Sequence, residues 1–122
     1  MTNTTTERPY RPGRVLVTGG ASGLGAAVVD AVLKAGGTPV VLDRDISTVS
    51  AAKAFEVDVA DRAAVSAAVR QAAETLDGLD AVVTAAGIDR CGKLEDVPAD
   101  DWEKVIFVNL LGTVSVVRAA LP

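Results

Sequence analysis

The sequence has 122 residues, of which 49% are hydrophobic and 23% charged, which is the size and composition of one compact globular domain. Its 16 acidic and 12 basic residues give a net charge of −4, which argues against nucleic acid and against an anionic membrane surface as the main partner. The lack of histidine excludes histidine-based triads and almost all zinc sites, so no metal site is predicted, and the single cysteine, Cys91, excludes an intramolecular disulfide and suits a reducing cytoplasm.

The first predicted segment is a flexible tail over residues 1–12, which are polar, rich in threonine and interrupted by two prolines. Neither this tail nor any later run is apolar enough to predict a secretory signal or a membrane span. The apolar run Arg14–Thr18 then predicts a buried strand. Apolar residues at helical spacing over Gly23–Ala35 predict a helix, which the glycine pair at 36 and 37 ends.

Strand and helix signals continue to alternate through the middle of the sequence. Pro39–Asp43 and Ala54–Val59 predict the second and third strands. Asp61 is expected to cap a helix that runs to Leu76, and Asp80–Ala86 predicts the fourth strand.

The last predicted element is a helix that begins after Pro98 and runs to about Ala120. The β-branched stretches Val105–Val108 and Thr113–Val117 leave two strands around Gly112 as an alternative. We prefer the helix because the apolar stretch is long and its start signals are good. Since this helix is apolar on nearly every side, it is expected to be buried on both faces.

Alternating strands and helices predict a parallel sheet with right-handed crossovers. The fold class is therefore α/β, a Rossmann-type doubly wound sheet in a three-layer α/β/α arrangement, with strand order 3-2-1-4. The predicted dinucleotide-binding domain covers residues 13–122.

The strongest functional signal is the glycine-rich loop over residues 18–25, between the first strand and the first helix. Gly19 allows a tight turn, Gly23 lets the backbone approach a pyrophosphate, and Gly25 lets the helix pack close to the strand. The first-turn N–H groups and the positive end of the helix would face the phosphates. The alternative is a glycine-rich turn that binds nothing.

The spacing TGxxxGxG of this loop resembles the single-domain branch of the short-chain dehydrogenase/reductase family. The resemblance covers residues 13–122, the first half of a family domain, cut after the helix that follows strand four. It implies a cytoplasmic NAD(P)-dependent oxidoreductase, a dimer or tetramer of identical chains, that transfers hydride between nicotinamide and an alcohol or ketone. It also implies cofactor-binding roles for a set of loop residues: Gly19, Ser22, Gly23, Leu24 and Gly25.

The choice between NAD and NADP depends on the end of the second strand. Asp43 lies there and can accept hydrogen bonds from the adenosine ribose hydroxyls of NAD, whereas a 2′-phosphate would be repelled. Family members that prefer NADP often carry a basic residue where this sequence has Ser22. Arg44 is a complication because a neighbouring arginine can hold a 2′-phosphate. NAD is predicted, and a solvated strand end is the alternative for Asp43.

Two further strand ends carry family-like residues. Asp58 and Val59 resemble the family's Asp-Val pair that contacts the adenine edge, although an aspartate before a helix could also be a cap. Thr84-Ala85-Ala86-Gly87 falls where the family usually has Asn-Asn-Ala-Gly, so Ala86 and Gly87 match and the two asparagines do not. The missing amides put the rigidity of the sheet in doubt. Ile88 resembles an apolar wall beside the cofactor.

Asn109 is the one predicted catalytic residue. In an apolar helix it could simply be a structural asparagine that bends the helix. The surrounding V-N-L-L-G resembles the family pattern in which this residue bends the helix and holds a water on the proton relay. The remaining relay residues, a serine and a Tyr-x-x-x-Lys pair, are not in this sequence, because Tyr10 is followed four residues later by Arg14.

The 122 residues alone are therefore expected to be inactive and to be unstable as a monomer, because the fourth strand would be an unpaired edge beside an uncovered apolar helix. The alternative from another functional class is a natural short form that binds NAD without catalysis.

Overall fold

The computed structural model describes residues 9–122, so most of the predicted tail lies outside the described residues. Four parallel strands form one sheet in the order β3-β2-β1-β4, as predicted. The strands are β1 (Arg14–Thr18), β2 (Thr38–Asp43), β3 (Lys53–Glu56) and β4 (Ala81–Thr84). Pro12, at the end of the predicted tail, is buried and lies where a side chain on Gly37 would be.

Helices connect the strands and complete the α/β pattern. They are α1 (Gly23–Lys34), α2 (Arg62–Leu76), α3 (Ala99–Ile106) and α4 (Thr113–Ala120), with a π-helical segment (Phe107–Gly112) between the last two and a 3₁₀ turn at Leu94–Asp96. The cap of α2 is the predicted one: the Asp61 carboxylate accepts the Ala64 N–H at 3.1 Å. None of the described helices is long and apolar enough to cross a membrane.

Alternate residues of each strand enter two cores, one on each face of the sheet. The face covered by α2 and α4 buries Leu16, Val40, Leu42, Val65, Val69 and Val116. The face covered by α1 buries Val15, Val17, Val29, Val32 and Val41. The sheet thus lies between two helical layers. Its faces are covered, so a ligand would reach the sheet through the loops at its carboxyl edge.

Two predicted strands are longer than the observed ones. The third was expected to reach Val59 and the fourth to span Asp80–Ala86, yet they end at Glu56 and Thr84. A ladder needs a partner. β3 pairs with β2, which ends at Asp43, and β4 pairs with β1, which ends at Thr18 because the chain turns away at Gly19, where φ is +68°. The residues beyond these ends therefore form loops at the carboxyl edge.

The last predicted helix is confirmed as helical, so the alternative of two strands is wrong. It is not one regular helix, because the π-helical segment widens its middle. In the described chain it is not buried on both faces, which agrees with the uncovered apolar helix expected for these 122 residues alone. Val108 and Val116 are buried, but one row of large apolar side chains is exposed: Ile106, Phe107, Leu110, Leu111, Val114 and Val117. The described part of the chain supplies a packing partner for only one side.

Candidate functional site

The candidate site lies at the carboxyl edge of the sheet, where parallel strands all deliver their following loops. The glycine loop leaves β1, Asp43 ends β2, and the segment Ala85–Ile88 leaves β4. β1 has β2 on one side and β4 on the other, so the connections diverge here. Ligands of doubly wound sheets bind in the crevice at such a point.

Two glycines of the loop are required by close packing within the chain. The Gly19 N–H donates to the Leu42 carbonyl at 2.8 Å, and a Cβ on Gly19 would lie 2.7 Å from the Ala86 nitrogen. A Cβ on Gly25 would overlap the Gly19 carbonyl oxygen. These contacts hold the start of α1 against the ends of β1 and β4, as the loop pattern predicts.

Gly23 differs from both, because apart from its chain neighbours and the adjacent backbone of its own helix no described atom lies within 4 Å of where its Cβ would be. Its φ is +56°, and it is the first residue of α1. Ser22, at the N-cap, makes no side-chain hydrogen bond to the helix, and no acidic residue occupies the first turn. Open space in front of a helix N-terminus fits a pyrophosphate, which backbone N–H groups and the helix dipole would bind. Leu24, 84% exposed, lies beside this space.

Asp43 holds the glycine loop, a role that the sequence did not predict. One carboxylate oxygen accepts the Ala21 N–H at 3.0 Å and the other accepts the Asp45 N–H at 3.2 Å. The Thr48 hydroxyl donates to the Ala21 carbonyl at 3.3 Å, so both backbone groups of Ala21 are engaged. Each Asp43 oxygen keeps a lone pair for a ligand hydroxyl. The neighbouring Arg44 is exposed.

Asp58 and Val59 lie in the loop after β3. The Asp58 carboxylate accepts the Ala60 N–H at 3.0 Å, which stabilises a turn, while Asp61 caps the helix. The Val59 side chain is buried, and a Cβ on Gly112 would lie 2.8 Å from it. Only the exposed carboxylate of Asp58 and the backbone of Val59 are therefore available to a ligand. Gly112 has to be small for the π-helical segment to pack here, which the sequence analysis did not recognise.

Thr18 supplies a link that the sequence analysis missed. It is only 1% exposed, and its hydroxyl accepts the Ala86 N–H at 3.3 Å while its carbonyl accepts the Ala85 N–H at 3.1 Å. It thus joins the end of β1 to the end of β4 without the two expected asparagines. A polar last residue in an otherwise apolar strand was the signal for it.

Asn109 contacts the segment after β4 through both side-chain groups. Its amide nitrogen donates to the Ile88 carbonyl at 2.9 Å, and its amide oxygen accepts the Ile88 N–H at 2.8 Å. The same oxygen lies 3.4 Å from where a Cβ on Gly87 would be. Asn109 lies in the π-helical segment and is exposed, whereas the sequence predicted a buried amide. π-Helical turns are frequent at functional sites.

Other groups near this edge offer no alternative chemistry. The hydrogen bond to Asp89 raises the pKa of the exposed Cys91 thiol, so this cysteine is not an activated nucleophile. Among residues 9–122 no cluster of acidic or cysteine side chains could hold a metal ion. A concavity of about 430 Å³ lies beside the beginnings of β2 and β3, lined by Leu33, Pro39 and Lys53 among others, away from the glycine loop.

Comparisons with a family model and with individual proteins all match this chain to dehydrogenases. Residues 13–122 match the family model described as "short chain dehydrogenase". The chain is 34% identical over 118 residues to 2-(S)-hydroxypropyl-CoM dehydrogenase 3 of Xanthobacter autotrophicus, covering 88% of this chain and 46% of that protein. It is 34% identical over 109 residues to D-threitol dehydrogenase of Mycolicibacterium smegmatis, covering 80% of this chain and 42% of that protein. The chain thus spans less than half the length of these two relatives.

Solved structures resemble the fold closely. The aldohexose dehydrogenase of Thermoplasma acidophilum in ligand-free form superposes with a TM-score of 0.87 at 27% identity, covering 92% of this chain and 44% of that one. A putative short-chain alcohol dehydrogenase from Sinorhizobium meliloti gives a TM-score of 0.82 at 31% identity, covering 91% of this chain and 48% of that one.

Proposed function

The chain belongs to the short-chain dehydrogenase family, and we propose that it supplies the cofactor-binding part of an NAD-dependent oxidoreductase acting on an alcohol or ketone. The observation that carries the proposal is the open space at Gly23, at the N-terminus of α1 and in the crevice where the sheet connections diverge. This space lies between two ordered supports, the strand ends on one side and the first turn of α1 on the other.

The proposed cofactor orientation follows the sheet edge. The pyrophosphate binds at the first turn of α1, beside Gly23 and Leu24. The adenosine half extends towards Asp43, with the adenine at Asp58 and the backbone of Val59. The nicotinamide half extends the other way, towards the segment Ala86–Ile88.

NAD is proposed over NADP because of the charge at the end of β2. Asp43 is fixed by two backbone N–H groups, so it cannot swing away from an incoming 2′-phosphate without releasing the glycine loop. The negative charges of the Asp43 carboxylate and the 2′-phosphate repel each other, which opposes the binding of NADP. Arg44 is exposed beside it and is the residue through which NADP would have to bind.

When bound, NAD accepts or donates the hydride. The residues of this chain bind and orient: the glycine loop fixes the phosphates, and Asn109 fixes the backbone of Ile88 beside the nicotinamide. We propose that the groups that move the substrate's hydroxyl proton lie in the part of the relatives that this chain does not cover. The named relatives act on hydroxyl-bearing compounds, which supports an alcohol or ketone substrate here. A cytoplasmic homo-oligomer is proposed for the full-length protein.

The test compares two glycines that share a backbone conformation and an open environment. Gly23 and Gly36 both have positive φ and no atom within 4 Å of a Cβ, but they lie near opposite ends of α1. Gly23→Val is expected to abolish NAD binding measured by calorimetry, because the branched side chain fills the pyrophosphate space. Gly36→Val carries similar backbone strain and is expected to bind NAD as the wild type does.

Retained NAD affinity in a folded Gly23→Val variant, or equal loss in both variants, would overturn the proposed phosphate site. A second candidate function is NAD binding without catalysis. Turnover by the full-length protein with NAD and a panel of secondary alcohols distinguishes the two, since a binding module gives none.

A further inference from the structure

The segment between β4 and α3 is shaped by very few contacts. It has no regular structure until the 3₁₀ turn at Leu94–Asp96, and its residues from Asp89 to Asp96 are exposed. Exposed backbone with few apolar contacts is the part of a fold that opens most readily. Ile88 packs against the hydrophobic core, but beyond it the position of the segment depends on the polar side chains that tie it to the neighbouring helix.

Two sets of polar contacts provide that tie. Both reach the helical arm, the continuous stretch of α3, the π-helical segment and α4 over residues 99–120. Asn109, in the π-helical segment, pairs with both backbone groups of Ile88. Nearer the start of the arm, the Arg90 Nε donates to an Asp101 carboxylate oxygen at 3.0 Å. The segment is thus held at Ile88 and again at Arg90.

Within the segment, Asp89 contacts both Arg90 and Cys91. The Asp89 carboxylate accepts the Arg90 N–H at 2.7 Å with one oxygen and lies 3.4 Å from the Cys91 sulfur with the other. The Arg90 side chain is bonded to Asp101, and its N–H to the neighbouring Asp89, so the ion pair adds a second point of attachment for residues 88–91 beyond the one at Ile88.

We infer that Arg90 and Asp101 are a positioning pair, which holds residues 88–91 as the wall against which the nicotinamide end of the cofactor packs. This inference rests on the proposed function, because it needs the nicotinamide half to extend towards Ile88. Neither side chain has to touch the cofactor. The pair acts through the backbone of the segment, which Asn109 alone would hold at only one end.

The exposure of the pair makes it separable from folding. The Arg90 and Asp101 side chains are 50% and 44% exposed, and such ion pairs contribute little to global stability. A stabilising role alone would therefore leave almost nothing to observe, whereas a positioning role affects one half of the cofactor and not the other.

The experiment measures binding of NAD and of ADP-ribose, which is NAD without its nicotinamide, to the full-length protein by calorimetry. Arg90→Gln is expected to weaken NAD by about two- to fivefold, the range that an exposed pair supplies, and to leave ADP-ribose unchanged. The matched control is Lys34→Gln, which breaks another exposed pair, Lys34 with Asp30, on α1. It should change neither affinity.

The exchanged double variant Arg90→Asp with Asp101→Arg is expected to recover NAD affinity relative to either single change. The inference is overturned if Arg90→Gln weakens both ligands equally, changes neither, or is not rescued by the exchange. If wild-type protein binds neither NAD nor ADP-ribose, the proposed function itself fails and the inference with it. Normal ADP-ribose binding by the wild type keeps the two failures distinct.

Discussion

Glycines leave room for other groups at both the amino and the carboxyl edges of the sheet, but the groups that fill the room differ. At the amino edge, a Cβ on Gly13 would overlap the Asp80 carboxylate and a Cβ on Gly78 would lie 2.9 Å from the Arg14 guanidinium. Those glycines make room for an ion pair, in which Arg14 binds both oxygens of Asp80 and also the Asp77 carbonyl. At the carboxyl edge, Gly19 and Gly25 make room for backbone, and Gly23 makes room for nothing in the chain.

This difference separates structural glycines from a glycine that leaves space for a ligand. A glycine whose missing side chain would meet the protein is explained by packing. One whose surroundings are empty needs another reason, and for Gly36 that reason is the left-handed end of α1. Gly23 is at the beginning of the helix, where no such termination is needed and where an anion binds.

The largest expected effect is on the packing glycine of the carboxyl edge. Gly25→Ala puts a methyl group into the Gly19 carbonyl, and the Gly19 backbone has little room to retreat because it lies against Ala85 and Ala86 and donates to the Leu42 carbonyl. We expect a loss of about 3 kcal/mol in the free energy of unfolding, measured by urea denaturation. Gly36→Ala, with no neighbour to meet, should lose only about 1 kcal/mol from backbone strain. Equal losses in the two variants would contradict the packing explanation.

Much of this edge could be predicted because its residues lie close together in sequence. The glycine spacing, the strand before it and the helix after it predicted the loop, and the alternation of strands and helices, with the usual order of doubly wound sheets, predicted the order of the strands. The contacts that were missed join residues far apart in sequence. Thr18 binds Ala86, and Asp43 binds the Ala21 N–H, and neither partner is marked by local pattern.

The exposed arm was predicted poorly for a physical reason. Apolar periodicity shows that a helix has an apolar surface, but it does not show which part of the protein covers that surface. The sequence analysis expected burial of the helix on both faces and an uncovered apolar surface only for these residues alone; Asn109, Leu110 and Val114 are exposed here. Gly112, at the end of the π-helical segment, packs against Val59, a contact that no local pattern reveals.

A smaller effect is expected for Asn109, whose side chain holds the backbone of Ile88 at the carboxyl edge. Asn109→Ala removes both hydrogen bonds to Ile88, so it should weaken NAD by up to about thirtyfold, at about 1 kcal/mol for each partly solvated bond, with ADP-ribose little affected. The paired measurement is calorimetry of both ligands with the full-length protein. Asn109→Asp keeps the acceptor for the Ile88 N–H and should fall between the wild type and Asn109→Ala. Loss of ADP-ribose binding to the same extent would favour a purely structural asparagine.

The smallest effect is expected at the amino edge, where the ion pair is exposed to solvent. The hydrogen bonds from the Arg14 side chain and backbone hold the pKa of the Asp80 carboxyl well below its usual range. A group whose pKa is lowered by folding stabilises the fold above its unfolded pKa of about 3.9, and that contribution is lost as the pH falls towards the folded value.

Asp80→Asn should therefore lower the urea midpoint slightly and by the same amount at pH 7 and pH 5, since the carboxylate is ionised in both folded and unfolded chains at these values. Below about pH 4 the unfolded carboxylate becomes protonated first, so the difference between wild type and variant should shrink. Asp30→Asn is the control, because it breaks an exposed pair within one helix and ties no two elements together. A gap that widens on acidification would mean that Asp80 is stabilised in its protonated form, and NAD affinity that changes with Asp80→Asn would mean that the two edges are not independent.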